Sequence, residues 1–198
     1  MRQDLAQSRD FDPQALFNRI NANHDDHVTA DELFKFLKDN YVKKVTLEDC
    51  QNIINEFDSS ADQSMQYFEF QNLVLPAANQ SLRDYVSYRR TPSHLNDPNK
   101  PLAISVSSLA VRILEMEIKY NSILKEGRMD LFKHKDYQKH KAFNEISRGL
   151  PYISMSDLIH YLENFGFYPR TEDLEAILRR CDHDADRALN FEEFCEVT

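Results

Sequence analysis

Apolar residues recur at spacings of three and four along much of the chain, and short polar runs interrupt them. This period matches the 3.6-residue turn of an amphipathic α-helix, whose apolar stripe faces a core. Thr46, followed by Glu48 and Asp49, is typical of a helix N-cap with an acidic first turn. The pattern predicts paired helix–loop–helix units. The stripes around the first two polar runs are Phe11, Leu16, Phe17 and Ile20; Leu33, Phe34, Phe36 and Leu37; Leu47, Ile53, Ile54 and Phe57; and Phe68, Phe70, Leu73, Val74 and Leu75.

Three polar runs, Asn21–Glu32, Asp58–Glu69 and Asp182–Glu193, place oxygen-bearing side chains at alternate positions and end in glutamate. Their spacing is that of a twelve-residue calcium loop, with ligands at positions 1, 3, 5, 7 and 9 and a bidentate carboxylate at 12. Each run could therefore supply the six to eight oxygens that Ca²⁺ takes. The predicted ligands are Asn21, Asn23, Asp25, the carbonyl of His27, Thr29 and Glu32; Asp58, Ser60, Asp62, the carbonyl of Ser64, Gln66 and Glu69; and Asp182, Asp184, Asp186, the carbonyl of Ala188, Asn190 and Glu193.

The sixth position of such a loop turns sharply and favours glycine, which adopts a positive φ at little cost. This sequence has Asp26, Gln63 and Arg187 there. The expected penalty is about 1–2 kcal/mol, or about tenfold in affinity, which predicts weaker binding. Four carboxylates rank the loop at Asp182 first, ahead of the loop at Asn21 and then the loop at Asp58. One alternative is that the helix–loop–helix units (hands) are purely structural and bind no metal. The other is that Mg²⁺ occupies the loops.

A fourth segment, residues 146–157, keeps the frame of a loop but lacks its ligands. Positions 1, 3 and 5 are Ile146, Arg148 and Leu150, whereas position 12 is still acidic in Asp157. The segment resembles a degenerate hand that pairs with its neighbour. Position 8 is apolar in all four segments, which predicts short β-bridges within each pair of hands. These residues are Val28, Met65, Ile153 and Leu189.

An insert separates the second hand from the third. It opens with Pro92, Pro98 and Pro101 among polar residues, which is typical of a linker. From about Ser105 to Ser147 an apolar stripe predicts a long amphipathic helix, which Gly127 could interrupt. The helix either packs on a lobe of the same protein or serves as a partner-binding helix or spacer. The predicted domains are residues 8–90, 91–137 and 138–198, and the stripe consists of Val106, Leu109, Ile113, Met116, Tyr120, Ile123, Leu124 and Leu131.

Composition narrows the function classes. The 198-residue chain has a net charge of −9, which argues against nucleic acid as its main partner. No apolar run is long enough to span a membrane, and the N-terminus lacks the apolar stretch of a secretory signal. Cys50, Cys181 and Cys195 are odd in number, which favours unpaired thiols in a reducing compartment. The expected location is the cytosol or the cytoskeleton.

Residues 11–75 and 138–196 resemble EF-hand calcium-binding proteins of the calmodulin-like kind, on the loops and the paired spacing described above. Residues 73–83, followed by the long charged helix, are similar to multi-hand proteins of protist cilia and cytoskeletons. The resemblance implies an all-α fold, with two EF-hand lobes joined by a long helical insert, and Ca²⁺ as the cofactor. It also implies a calcium-responsive or constitutive subunit of an axonemal or cortical assembly. Only five methionines favour one dedicated protein partner over many.

A locally basic stretch lies between residues 125 and 141. It is either a solvated helix face or a surface that docks on acidic partners such as a tubulin tail. His134 and His140 lack the i, i+4 spacing of a helical zinc pair. No phosphate-binding loop, GxSxG or HExxH is present, so an enzyme is not expected. The cationic residues are Lys125, Arg128, Lys133, Lys135, Lys139 and Lys141.

Two functions therefore compete. The glutamates retained at all three twelfth positions favour a calcium-binding interaction subunit. The non-glycine residues at the sixth positions favour a calcium-independent structural adaptor with the same fold, in which the long helix acts as a strut.

Overall fold

The structure is a computed structural model that describes residues 1–76, 79–89, 102–182 and 186–198. α-Helices dominate these residues, and the strands that accompany them are two residues long. The predicted all-α fold, in which a long helix joins two lobes of paired helix–loop–helix units, is therefore confirmed. The prolines of the predicted linker, Pro92, Pro98 and Pro101, lie outside the described residues.

The chain divides into two compact units, Met1–Ser122 and Ile123–Thr198. The first unit holds the first two hands together with further helices. The domain boundaries expected from the sequence differ from this division and stay a prediction. Its elements are α1 (Arg2–Gln7), α2 (Pro13–Ile20), β1 (His27–Val28), α3 (Ala30–Asp39), α4 (Leu47–Phe57), β2 (Met65–Gln66), α5 (Tyr67–Val74), α6 (Gln80–Ser87) and α7 (Ile104–Lys133), whose last residues belong to the second unit.

Side-chain caps explain where the first helices begin. Asp12 Oδ1 accepts a hydrogen bond from the N–H of Gln14 at 2.9 Å, and Pro13 occupies the first helical position of α2. Thr46 Oγ1 accepts from the N–H of Asp49 at 3.1 Å, while Asp49 Oδ2 accepts from the N–H of Thr46 at 2.8 Å. This reciprocal pair satisfies N–H groups that the first helical turn leaves without partners. The predicted N-cap at Thr46 is confirmed.

The eighth loop residues pair as predicted. In the first unit β1 and β2 are antiparallel with Val28 opposite Met65, and each of these side chains is 1% exposed. In the second unit Ile153 pairs with Leu189 in the same way. Because each bridge joins two loops, it fixes the spacing of the two loops within a pair.

The core of the first unit extends beyond its two hands. Leu5 of α1, Val86 of α6 and Val106 of α7 are fully buried, in the same cluster as Leu33 and Leu37 of α3. The first part of the insert helix thus packs on a lobe of the same protein, which is one of the two alternatives expected for this helix. The buried residues of α7 are Val106, Ala110, Ile113, Leu114 and Glu117.

The interruption considered at Gly127 is absent, because α7 runs through it and ends at Lys133. A single glycine costs a helix only about 1 kcal/mol, which its neighbours can offset. The predicted helical stretch to Ser147 is instead divided after Lys133, where the N–H of His134 turns back to the carbonyl of Leu131 at 3.1 Å. Among the described helices, α7 included, none combines the length and apolar character needed to cross a membrane.

The second unit has a smaller core around Phe143, whose ring packs edge-on against Phe194 at a centroid distance of 5.5 Å. Its helix α9 (Met155–Asn164) follows the third loop as α3 follows the first. Leu158 and Leu162 of α9 are only half-buried. The elements are α8 (Lys139–Ser147), β3 (Ile153–Ser154), α9 (Met155–Asn164), α10 (Thr171–Cys181), β4 (Ala188–Leu189) and α11 (Phe191–Val197).

Candidate metal centre

The second loop folds around the carboxylate at its first position. Asp58 Oδ1 accepts a hydrogen bond from the N–H of Asp62 at 3.3 Å, and Oδ2 accepts from the N–H of Gln63 at 2.7 Å. Asp62 Oδ1 accepts from the N–H and the hydroxyl of Ser64, at 2.9 and 2.6 Å. Hydrogen bonds from the Ser64 hydroxyl and then from Gln66 lower the pKa of Asp62 to about 2. Asp62 is therefore ionised over the whole physiological pH range.

Glu69, at position 12 of this loop, is completely buried. Its Oε1 accepts from Ser59 Oγ at 2.9 Å and from the N–H of Ser60 at 3.0 Å, and its Oε2 accepts from the N–H of Gln66 at 2.8 Å. These three donors are neutral. Because a buried carboxylate loses its hydration, a cation in the loop would stabilise it further than neutral donors do.

The fourth loop repeats the turn of the second. Asp182 Oδ1 accepts from the N–H of Asp186 at 3.1 Å, and Oδ2 accepts from the N–H of Arg187 at 2.8 Å. The donors are again the fifth and sixth residues of the loop, as they are for Asp58. The carboxylate at position 1 thus organises both turns.

The rest of the fourth loop leads into its last helix. Asp186 Oδ1 accepts from the N–H of Ala188 at 2.8 Å. Glu193 is 5% exposed, and its Oε2 accepts from the N–H of Asn190 at 2.9 Å. The predicted ligand Asp184 lies outside the described residues. The structure therefore brings position 12 to the start of α11, where its carboxylate faces back into the loop.

The first loop is built differently. Asn21 Nδ2 donates to the carbonyl oxygen of Asp25. Asn23 Oδ1 accepts from the N–H of Asp25 at 3.0 Å, and Asp25 Oδ1 accepts from the N–H of His27 at 3.0 Å. Glu32 Oε1 accepts from the N–H of Asn23 at 3.2 Å, which joins position 12 to position 3. All five predicted ligand residues named here lie in one connected loop.

The loops differ in whether the residue at position 6 has a left-handed backbone conformation. Gln63 and Arg187 have φ values of 64° and 70°, which confirms the prediction for the sixth position. In the first loop Asp26 has no positive φ, so the prediction for its sixth position is wrong, whereas position 4 has a positive φ both in the first loop (His24, 59°) and in the second (Ala61, 57°). A carboxylate at position 1 can only accept hydrogen bonds and so draws the sixth N–H toward it. The amide of Asn21 donates instead, and the first loop lacks a left-handed residue at position 6.

The donor set fits a hard cation. Asn21 is 2% exposed, and its Oδ1 is buried without a hydrogen-bond partner, as expected for an oxygen that a metal would complete. Among the described residues no three His, Cys, Asp or Glu side chains gather into one group. The loops rely on amide, hydroxyl and carbonyl oxygens beside their carboxylates, which is the mixture that Ca²⁺ accepts.

The third loop has an ion pair in place of ligands. The Nε of Arg148 donates to Asp157 Oδ1 at 3.0 Å, and Nη2 of the same guanidinium contacts that oxygen too. Burial raises the pKa of Asp157, but hydrogen bonds from Ser154 and the Arg148 guanidinium outweigh it and lower the pKa. From the sequence alone, Arg148 is only a lost ligand. An arginine at position 3 together with an acid at position 12 was the available signal.

Residues 12–75 match the family described as the EF-hand domain pair. The first unit contains an EF-hand pair. The match spans the loops at Asn21 and Asp58 and supports an EF-hand family. Assignment to calmodulin-like or ciliary EF-hand proteins goes beyond this match. An EF-hand pair indicates a calcium-binding or regulatory role. No curated protein matches the chain in sequence.

Proposed function

We propose that this protein is a calcium-binding interaction subunit without enzymatic activity of its own. The observation that carries the proposal is the shared turn of the loops at Asp58 and Asp182, each with an acidic residue at position 12 buried to 5% exposure or less. The loop at Asp182 leads because it offers the most carboxylates. The loops at Asn21 and Asp58 follow, and Mg²⁺ is the competing ion.

The partner contact belongs to the second unit. Leu33, Phe36 and Leu37 of α3 are at most 6% exposed, since helices outside the two hands share their core. The corresponding α9 residues include Leu158 and Leu162, which are half-buried. The apolar face of α9 fits an amphipathic helix of a partner protein, which is the usual ligand of an opened hand pair. Phe165 and Phe167, which follow the end of α9, are 61% and 65% exposed.

The basic stretch between residues 125 and 141 contributes less to partner binding than its charge suggests. Lys133 Nζ already pairs with Asp130 at 2.7 Å, and Lys139 Nζ donates to the carbonyl of Cys195 at 2.8 Å. Docking on an acidic partner such as a tubulin tail would break these contacts or depend on neighbours such as Lys135. A ciliary or cytoskeletal assembly remains the setting we propose on the resemblance described above.

A calcium-independent adaptor is the second candidate. The observations that favour it are the third loop, where Arg148 and Asp157 form an ion pair, and the left-handed φ of Gln63 and Arg187 at positions that favour glycine. In that case the second unit would bind its partner equally with and without calcium.

Binding of the dye ANS separates the two candidates. We expect ANS fluorescence to rise when calcium is added to the metal-stripped protein in millimolar Mg²⁺, because metal binding opens a hand pair. The matched control is Glu193→Gln, which keeps the size of the side chain and removes its charge, and which should reduce the rise. Equal fluorescence with calcium and with chelator in the wild-type protein would support the adaptor and overturn the proposal.

A further inference from the structure

The third loop keeps its acidic residue at position 12 in a buried place. Asp157 is 2% exposed, and it lies at the start of α9 as Glu69 lies at the start of α5. Its Oδ2 accepts hydrogen bonds from the N–H of Ser154, at 3.0 Å, and from the Ser154 hydroxyl. The loop has thus kept the carboxylate and the cap of a metal-binding hand, although the side-chain ligands at positions 1, 3 and 5 are gone.

Arg148 supplies the positive charge at this carboxylate. The guanidinium reaches Asp157 Oδ1 through both Nε and Nη2. Two consecutive residues, Arg148 and Gly149, have positive φ values of 54° and 83°, and they turn the chain at this point. Arg148 is position 3 of the predicted loop, but α8 ends at Ser147, so Arg148 directly follows the helix, where the second and fourth loops have their first residue. Residues at positions 1, 3 and 12 are ones that a bound ion would join. Here the side chains join directly.

The second loop provides the contrast. Glu69 is 0% exposed, and Ser59, Ser60 and Gln66 donate to it without bringing positive charge. One loop therefore holds a buried carboxylate that a cation would complete, and the other carries its own cation. The Arg148 side chain is itself 59% exposed, but the Asp157 side chain is 1% exposed, so removing the guanidinium leaves a buried carboxylate without its cation, and the loop depends on Arg148.

The ion pair is connected to the fourth loop through the β-bridge. Ser154, which donates to Asp157, pairs with Ala188 across β3 and β4, and Ile153 pairs with Leu189. The carbonyl of Ala188 is the predicted ligand at position 7 of the fourth loop. The third loop thus lies one residue pair away from a ligand of the candidate metal site.

We propose that Arg148 is a tethered cation that takes the place of a metal ion in the third loop, and that it holds β3 ready to pair with β4 at every calcium concentration. Arg148 is then a positioning residue for the fourth loop, acting through Asp157 and Ser154 on Ala188. The inference on affinity depends on the proposed function, since it requires the fourth loop to bind calcium. The inference on the bridge does not.

The first test is hydrogen exchange in the calcium-free protein. We expect Arg148→Gln to reduce the protection of the β3 and β4 amides at least tenfold, and Arg148→Lys to retain most of it. The matched control is Arg170→Gln, which removes an exposed arginine pair with Asp173 in the same unit. If Arg148→Gln leaves the protection of both strands unchanged, the proposal is overturned.

The second test measures calcium affinity with the first two loops disabled by Glu32→Gln and Glu69→Gln. In this background Arg148→Gln should weaken the remaining site about tenfold, the size usually found for residues that orient a ligand, while Arg148→Lys and Arg170→Gln should not. Unchanged affinity in Arg148→Gln would overturn the positioning role. A background protein that binds no calcium would instead contradict the proposed function, and the exchange result would still decide the role of Arg148.

A destabilised variant would not obscure the result. Arg148→Gln combined with Asp157→Asn removes both charges and should restore folding, because a missing pair is less harmful than half of one. If the double variant is folded and its β3–β4 protection equals that of the wild-type protein, Arg148 is not needed to hold the bridge, and the proposal is overturned. Reduced protection in the folded double variant would support it.

Discussion

Arg2 Nη2 donates to Glu117 Oε1 at 2.7 Å, across 115 residues of sequence. Arg2 Nε also donates to the carbonyl oxygen of Leu73, at 2.6 Å. Glu117 is 6% exposed and lies on the same helix as the buried Ile113. The contact joins α1 and the end of α5 to α7, and it helps to make the first part of the insert helix, up to Ser122, part of the first unit.

Breaking this contact should destabilise the first unit. Arg2→Gln removes the guanidinium that donates to the buried Glu117, and we expect the free energy of unfolding to fall by about 2 kcal/mol in urea titrations. Lys133→Gln is the control, because its pair with Asp130 is exposed on both sides and should change the stability little. Equal stability of Arg2→Gln and the wild-type protein would show that the contact is not needed.

The two halves of α7 should respond differently to truncation. Ile113 is 3% exposed in the core of the first unit, whereas Ile123 on the same helix is 57% exposed. Ile113→Ala should lower the free energy of unfolding by about 2–5 kcal/mol, and Ile123→Ala by well under 1 kcal/mol. Thermal unfolding of both variants measures the difference. A comparable loss in Ile123→Ala would contradict the burial described here.

Local pattern was enough to predict the hands but not what surrounds them. The bridge residues Val28 and Met65 and the cap at Thr46 depend on short sequence spacings, and the structure confirms them. The pair of Arg2 and Glu117 has no local signature, because the two residues meet only through the tertiary fold. The absence of a left-handed residue at Asp26 was missed for another reason, since the donor role of the Asn21 amide depends on the folded loop.

Glycine at the sixth position should tighten calcium binding only where the backbone needs it. Gln63 and Arg187 have positive φ, so Gln63→Gly and Arg187→Gly relieve strain and should raise the affinity of their loops about five- to tenfold. Asp26→Gly is the control, because the left-handed residue of the first loop is His24. Calcium titration of each variant gives the result. An equal gain from Asp26→Gly would contradict the described turn.

Two of the three thiols should differ in reactivity. Burial, and then the neighbouring Asp49 carboxylate, raise the pKa of Cys50 from 9.0 to about 12. Iodoacetamide reacts with the thiolate, so at pH 8 it should modify the half-buried Cys195 and leave Cys50 intact in the folded protein. Mass spectrometry of peptides reports both sites, and unfolding in urea should make Cys50 reactive. Modification of Cys50 as fast as Cys195 in the folded protein would refute this.

The same shift in pKa gives a dependence of stability on pH. Folding keeps the Cys50 thiol protonated between its ordinary pKa of 9.0 and about 12. Its contribution to stability is therefore fully present below pH 9.0 and is lost as the pH rises toward 12. Cys50→Ala should show a smaller loss of stability between pH 8 and pH 10 than the wild-type protein does.

Isothermal titration of Ca²⁺ into the metal-stripped protein in millimolar Mg²⁺ tests the central claim most directly, with Glu193→Gln measured beside the wild-type protein. We predict one or more micromolar sites, of which one is lost in Glu193→Gln, because its carboxylate closes the leading loop. The claim would be contradicted if calcium gave no heat of binding and left the helical content of the protein unchanged. The adaptor would then be the remaining function.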